Sequence, residues 1–421
     1  MKKIKNILIL AGGDSTRFWP LNQKIFYPFL GRPLIGYLIN EIKKFAIKIS
    51  VVINPKDEKF FKTFFQKDIE IIIQKEFASG MASAVKSCEK KISGETLILN
   101  ANDIFNFNVL NEFISQIRLK KSNIFLLAKK IKTYFPGGYL KLKDKKIIGI
   151  IEKPPEDKTP SDLVKLTFDY FANLNEFINQ INQLPIKKDD VYEKALTRLI
   201  QKNTSIEFFL YKDYWFTLKY PWHTLSMMAF FLSSMKKSLI HSTAKISSSA
   251  KISGPVYIGK NVKVGDFSKI VGPCYIDDEV TIGDFCLIRE SQIGKKSLIG
   301  SFSEVARSYL GEEVSLHQNY IGDSVLDNHV EFGAKAVTAN FRFDKKEVKS
   351  LINNTKISSQ RLKLGAIIGQ KSKVGVNSSL FPGVKIGQQS LIAPGEIVKN
   401  DLPDGVFFHQ GKRLKNKLII T

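Results

Sequence analysis

The second half of this 421-residue chain repeats every six residues. Ile258, Val264, Ile270, Ile276, Ile282 and Ile288 keep that interval, and Ile368, Val374, Leu380, Ile386, Ile392 and Val398 keep it again. Glycine often follows the aliphatic residue, as in Ile258-Gly259, Val264-Gly265, Ile282-Gly283, Val374-Gly375 and Ile386-Gly387. An aliphatic side chain at every sixth position, followed by a residue that tolerates a tight turn, suits short strands that each send one side chain inward, three of them closing one coil. The pattern predicts a left-handed parallel β-helix over 233–405, with a C-terminal tail at 406–421. The frame slips by one residue at Ile293 and again near Ile321. The polar stretch from Phe341 to Arg361 breaks the repeat and is expected to leave the solenoid as a loop. Flat solenoid faces pack around a threefold axis, so a homotrimer is expected.

Residues 1–232 have a different texture. β-branched runs such as NILIL, KISVVI, IEIII and TLILN alternate with helical patterns such as PLIGYLINEIKKF and MASAVKSCEKK. Strand and helix in regular alternation predict a doubly wound, mostly parallel Rossmann-like α/β sheet, whose ligands gather at the carboxyl ends of the strands. The composition, 43% hydrophobic and 25% charged, suits a soluble globular enzyme. No apolar run reaches the roughly 18 residues of a membrane span. The start MKKIKNILILAGG lacks a small-residue cleavage site and reads as a first strand. Three scattered cysteines, Cys88, Cys274 and Cys286, support neither a disulfide framework nor a zinc site, so a cytoplasmic protein is expected. The formal charge of +24 would suit nucleic acid if it were clustered, but the lysines lie in pairs along the whole chain and only nine of the 64 basic residues are Arg. Solvated faces account for it; small anionic substrates are compatible, and neither nucleic acid nor membrane is expected as a partner.

The densest candidate site is Leu10-Ala11-Gly12-Gly13-Asp14-Ser15-Thr16-Arg17-Phe18-Trp19-Pro20-Leu21. Two glycines directly after a strand let the backbone approach a phosphate chain closely. Arg17 would neutralise a triphosphate and then the leaving pyrophosphate. Seven residues on, Lys24 would bridge the α-phosphate and an attacking sugar phosphate, two anions that otherwise repel. Together with Pro28 and Gly31-Arg32-Pro33-Leu34, this segment resembles the signature of the sugar-1-phosphate nucleotidylyltransferases.

The resemblance continues in order. Gln74 and Gly80-Met81-Ala82 sit where that family has a base-reading glutamine and a turn near the nucleobase. Asp103, after the strand TLILN, stands where the family holds Mg²⁺, and a carboxylate at a strand's C-terminal end suits that role. Gly137-Gly138-Tyr139 resembles the sugar-contacting glycine segment. Glu152-Lys153-Pro154 matches the family's Glu-Lys-Pro, in which Glu holds sugar hydroxyls and Lys the sugar phosphate. Asp190-Val191-Tyr192-Glu193 is similar to a helix that supports the fold. The resemblance implies an in-line displacement: the sugar-1-phosphate oxygen attacks the α-phosphorus of an NTP and pyrophosphate leaves, with the protein positioning and neutralising. Gln74 implies UTP or dTTP, with N-acetylglucosamine-1-phosphate or glucose-1-phosphate as acceptor. The chain departs from the family at Ser15, at Met81 and at Thr217, which stands in place of a second metal ligand; a hydroxyl is a poorer ligand for a hard cation than a carboxylate.

Within the solenoid, Leu316-His317-Gln318-Asn319-Tyr320-Ile321-Gly322-Asp323 and the stretch 332–340 resemble the acetyltransferase half of the bifunctional enzymes that make UDP-N-acetylglucosamine. The resemblance puts His317 at the general base that deprotonates a sugar amine attacking acetyl-CoA, and Arg289, Tyr320 and Asn340 at substrate positions. Ala306, Glu331 and Phe341 replace that family's lysine, asparagine and tyrosine, so acetyl transfer is expected as a second activity or as a lost one. Two other readings stay open: a mannose-1-phosphate guanylyltransferase, which 17–21 also resembles, and a sugar-nucleotide-binding regulatory subunit, suggested by Thr217 and the altered C-terminal site.

Overall fold

The computed structural model describes residues 3–65, 69–75, 80–185, 190–202 and 204–415. By its internal contacts the chain forms two units: residues 1–14 with 35–217, and residues 15–34 with 218–421. The segment carrying Arg17 and Lys24 is thus grouped with the solenoid half.

The first unit is built on a nine-stranded sheet. Strand Ile4–Ala11 lies between Ala46–Ile53 and Thr96–Asn100, and Glu70–Ile73 extends the edge, all in parallel. Parallel strands are covered on both faces and so read as unbroken apolar runs; Ile7, Leu8 and Ile9 are all fully buried. The other half of the sheet is mixed. Leu163–Phe171 runs antiparallel to Thr96–Asn100, to Ile124–Lys130 and to Gly138–Lys143, which pairs antiparallel with Lys146–Glu152. A short antiparallel pair, Asp103–Phe105 with Trp215–Thr217, stands apart from the main sheet.

The second unit contains the β-helix, three parallel sheets of very short strands stacked coil on coil. Lys245 lies beside Lys263, which lies beside Thr281, so these coils span eighteen residues. The frame slips read from the sequence appear in the register: Ile276 pairs with Ile293 and Val305 with Ile321. All twelve residues of the two six-residue series are at most 4% exposed and form the solenoid core. The 341–361 stretch leaves the coil and folds as a hairpin, Lys349–Ile352 with Thr355–Ser358. After the last coil, Val406–His409 pairs parallel with Leu391–Ile392, and Lys412–Lys415 pairs back on it.

Many solenoid corners turn through a left-handed residue, and in this chain most of those residues carry side chains. Asn261, Phe267, Glu279, Phe285, Lys296 and Phe302, each three residues after an inward aliphatic, have φ between 55° and 62°. The coil below offsets part of that strain: the amides of Phe285 and Phe302 donate to the carbonyls of Asp266 and Asp284 at 2.8 and 3.0 Å. The rings of Phe267, Phe285 and Phe302 stack up the corner at 5.2 and 5.1 Å. Glycine is required where coils nearly touch: a Cβ on Gly265 would lie 2.7 Å from the carbonyl carbon of Gly283.

Candidate functional site

In the first unit, the loop after Ile4–Ala11 lies beside the end of Glu70–Ile73. A Cβ on Gly12 would fall 1.8 Å from Oε1 of Gln74, so the glycine backbone rests directly on the glutamine side chain, which is itself 3% exposed. Next to it, Gly13 faces open space. Asn54 donates to Oδ1 of Asp14 at 3.0 Å and holds the far side of the loop. Gly80, with φ +50°, begins the helix Met81–Lys86, and Met81 Sδ accepts from Thr167 at 3.5 Å. Gly12 and Gln74, assigned from sequence to the nucleotide, are therefore in contact, and Ala11 is the buried last residue of its strand.

Asp103 is 4% exposed and accepts from the Asn100 side-chain amide at 3.0 Å. In the antiparallel pair, Thr217 is its direct partner, so the two side chains share one face. Asn102 Oδ1 is buried without a hydrogen-bond partner. Among the described residues no group of three His, Cys, Asp or Glu side chains could hold a metal. The donors around Asp103 are all oxygen: one carboxylate, a hydroxyl and amide carbonyls. That set fits Mg²⁺, which keeps water and nucleotide phosphates as its remaining ligands and asks the protein for one or two carboxylates.

Gly138 and Glu152 are register partners, and Gly138 leaves room for Oε2 of Glu152, 3.4 Å from where a Cβ would be. Lys153, at φ 45°, turns back so that its ammonium meets Glu152 Oε1 at 3.0 Å. The three sugar-site residues read from sequence are thus together. Near them lies a buried charged set in which Lys165 and Asp169, missed by sequence reasoning, meet Tyr192 and Glu193 of the supporting helix. Lys165 pairs with Asp169 at 2.7 Å, with side chains 2% and 0% exposed, and the Tyr192 hydroxyl donates to the same carboxylate oxygen at 2.7 Å. Glu193, 2% exposed, has its carboxyl pushed up to about 8, mainly by burial and next by the charge of Glu152. Burial also opposes the charge on Lys165, but Asp169 and Glu193 outweigh it and hold its pKa above the ordinary lysine value. The one available signal was a pair of opposite charges four residues apart inside an apolar strand.

In the second unit, Ser15, at φ 58°, precedes a short 3₁₀ turn, Thr16–Phe18, that carries Arg17. Lys24 opens a second such turn, Lys24–Phe26. On the solenoid, His317 is exposed at a corner, with Nε2 3.4 Å from the Ser315 hydroxyl. Asn319, 2% exposed, accepts from the His317 amide and donates to the carbonyls of Gly333 and Ala336 at 2.8 Å each, fixing the backbone at that corner. Tyr320 and Asn340 meet at 3.2 Å, and Asn340 donates to Asp323 at 2.6 Å. Asp323 also receives a two-pronged contact from Arg307, at 2.9 and 2.7 Å. Arg307 directly follows Ala306, so a guanidinium stands one residue from the position where a lysine was missing. Arg289 is paired with Glu304, whose register partner is Tyr320. The structure thus gathers Tyr320 and Asn340 around Asp323, and it pairs Glu331, read as an intruding carboxylate, with Lys373 at 3.0 Å. All three cysteines are buried free thiols. No helix among the described residues is long and apolar enough to cross a membrane.

Residues 6–218 match the nucleotidyl transferase family, and residues 234–357 match the GMPPB C-terminal domain. The chain is 34% identical over 411 residues to a bifunctional sugar-1-phosphate nucleotidylyltransferase/acetyltransferase of Sulfurisphaera tokodaii, covering 95% of this chain and 98% of that protein. It is 33% identical to a bifunctional protein GlmU of Methanococcus vannielii, covering 98% of each. A crystal structure of apo UDP-glucose pyrophosphorylase aligns at 16% identity with a TM-score of 0.47, over 55% of this chain and 98% of that one. The chain thus belongs to the nucleotidyl transferase family, is similar along its whole length to bifunctional sugar-1-phosphate nucleotidylyltransferase/acetyltransferases, and joins the nucleotidyl transferase domain to a β-helix.

Proposed function

We propose that this enzyme transfers a nucleotidyl group from an NTP to a sugar-1-phosphate, releasing pyrophosphate and making a nucleotide sugar. The observation that carries the reading is the gathering of Gly138, Glu152 and Lys153 at one place: a carboxylate suited to accept from sugar hydroxyls and a phosphate-binding cation 3.0 Å apart, beside a glycine whose missing Cβ lets the Glu152 carboxylate lie close. Gln74, packed against Gly12, offers one amide donor and one acceptor, which complements the edge of uracil or thymine and supports UTP or dTTP. N-acetylglucosamine-1-phosphate or glucose-1-phosphate is the acceptor. Asp103, with Thr217 opposite, would hold Mg²⁺ against the phosphates, where the ion supplies charge neutralisation. Arg17 and Lys24 supply the remaining positive charge. The attacking sugar phosphate is already an anion, so positioning and neutralisation suffice and no strong general base is needed.

The solenoid is proposed to assemble a homotrimer and to carry a second activity, acetyl transfer from acetyl-CoA to an amino-sugar phosphate with His317 as general base. Tyr320 and Asn340, two of the substrate positions read from the sequence, meet at 3.2 Å, which supports this reading. Incubation with acetyl-CoA and glucosamine-1-phosphate tests it: thiol release that His317→Ala abolishes supports the assignment, and unchanged release removes it. Light scattering on the full chain tests the trimer. A second reading, guanylyl transfer to mannose-1-phosphate, is favoured by the match of residues 234–357 to the GMPPB C-terminal domain. Pyrophosphate release from each NTP with a panel of sugar-1-phosphates separates the two, and no release with any pair would leave only a binding role.

A further inference from the structure

One face of the β-helix is covered by the segment that carries Arg17 and Lys24. In the first of the three solenoid sheets, the side chains that alternate with the core residues point outward, and on a bare solenoid they would be wet. Lys245, Lys263, Glu331 and Lys373, outward on the second sheet, are exposed. On the first sheet, Gln292, Tyr309 and Lys385 are instead 3%, 1% and 2% exposed, and Val325 and Ile367 are fully buried. Polar groups at outward positions lose water only when something docks on them.

The occupant is Ser15–Leu34, with the helix His223–Ser233 beside it; Lys385 is covered in addition by the hairpin, whose Leu351 carbonyl accepts from its ammonium, and by Asp401 at 2.8 Å. The Gln292 side chain reads the backbone of this segment with both ends of its amide: Oε1 accepts from the Leu30 amide at 3.0 Å and Nε2 donates to the Pro28 carbonyl at 3.0 Å. The Tyr309 hydroxyl donates to the same Pro28 carbonyl at 2.9 Å, and its ring packs on Tyr27 at 4.8 Å. Phe29 stacks on Phe231 of the helix at 5.3 Å. A second anchor lies towards the end of the solenoid. There Trp19 donates from its indole to Asp404 at 2.9 Å, Gln388 donates to the Pro20 carbonyl at 3.1 Å, and the Lys385 ammonium sits 5.1 Å from the Trp19 ring centroid. Arg17 lies two residues before Trp19 of the second anchor, and Lys24 lies between the Trp19–Pro20 and Pro28–Leu30 anchors.

We propose that this solenoid face is a positioning surface for nucleotidyl transfer: Gln292 and Tyr309 at one anchor, and Lys385, Gln388 and Asp404 at the other, fix the backbone that presents Arg17 and Lys24 to the phosphates. The inference rests on the reading that Arg17 acts on the NTP. Cations on a loose loop would lose the advantage of a preset geometry, and small misplacements are costly in rate. The β-helix is on this account part of the nucleotidyl-transfer apparatus as well as a carrier of its own site.

The test uses the full chain with Gln292→Leu, which keeps side-chain bulk and removes both amide contacts, and Tyr309→Phe, which removes one hydroxyl and keeps the ring. Hydrogen exchange at the Leu30 amide is expected to speed up at least tenfold in Gln292→Leu. The value of kcat/KM for NTP is expected to fall about tenfold, carried mainly by KM, while solenoid melting stays within a few degrees of the parent. Tyr309→Phe should shift the same quantities in the same direction by a smaller factor, and it carries the test if Gln292→Leu does not fold. Arg17→Ala is measured alongside. If Arg17→Ala leaves the rate unchanged, the functional reading fails while the exchange data still report on docking. If Arg17→Ala abolishes activity but a loosened loop leaves kcat/KM within twofold, the positioning proposal is overturned, as it is if Leu30 exchange does not change.

Discussion

Lys165→Met tests the buried ion pair under the proposed sugar site. Lys165 and Asp169 are 2% and 0% exposed and 2.7 Å apart, and the Tyr192 hydroxyl shares the Asp169 oxygen. The other oxygen of Asp169 has no partner. Removing the ammonium leaves a carboxylate out of water with a single phenol donor and with Glu193 close by. Breaking a buried pair from one side costs about 3–5 kcal/mol, because the remaining charge is uncompensated. Removing both charges is far cheaper. In Lys165→Met/Asp169→Asn the amide still accepts from Tyr192, so the double variant should recover at least about 2 kcal/mol of the loss. Urea unfolding followed at 222 nm is the assay. Among the described residues most helix, including Val109–Lys120, Leu174–Asn182 and Val191–Gln201, lies in the first unit, while the solenoid is short strand, so the signal reports the unit carrying the mutation. A single variant within about 1 kcal/mol of the parent, or a double variant less stable than the single, would refute the reasoning.

Asp327, 7% exposed, has its carboxyl pushed up to about 6, chiefly by burial, with Tyr27, Tyr309, the Asn328 amide and His329 around it. A raised carboxyl pKa means the folded state binds the proton more tightly, so stability falls as pH rises from about 4 to about 6 and is flat above. At about 1.4 kcal/mol per pH unit the ionised group costs up to about 3 kcal/mol. Asp327→Asn should therefore stabilise the solenoid unit at pH 7.5 and flatten that dependence, as thermal melts across the range would record; a destabilised variant at pH 7.5 contradicts this. Gly265→Ala places a Cβ 2.7 Å from the carbonyl carbon of Gly283 and should cost about 1–3 kcal/mol in solenoid melting. Asn319→Ala strands the His317 amide and the buried Ala336 carbonyl, while the Gly333 carbonyl keeps the Ala336 amide, and should lower stability by about 1–3 kcal/mol with a larger proportional loss of any acetyl transfer.

What the sequence made legible was what periodicity and chain order control. The solenoid core is set by one aliphatic residue in six, so its members, its slips at Ile293 and Ile321, and its break at 341–361 follow from spacing. Gly138, Glu152 and Lys153 are linked by strand register over a short separation, and their meeting followed from motif order. The docking of Ser15–Leu34 was hidden because it joins residues separated by more than 250 positions, as Pro28 and Gln292 are. Local reading treats Gln292, Tyr309 and Lys385 as wet outward positions. Phe267, Phe285 and Phe302 gave no sign of left-handed corners, since bulky residues ordinarily avoid that conformation and the inter-coil hydrogen bonds and ring stacking that offset its cost join residues far apart in sequence. Arg307 carries no mark in the sequence, because the position of the family's lysine falls on its neighbour Ala306 and only the fold brings the guanidinium to Asp323.

Joining of an NTP to a sugar-1-phosphate, with Asp103 and Arg17 carrying the charge, is tested most directly by the reaction itself. Pyrophosphate release should be measured for the parent, Asp103→Ala and Arg17→Ala, with UTP, dTTP, GTP and ATP, Mg²⁺, and a panel of sugar-1-phosphates. The account predicts release by the parent with a pyrimidine nucleotide and a glucose-type phosphate, and a loss of at least about 100-fold in each variant. No release from any pair, or release that survives both substitutions, would contradict it.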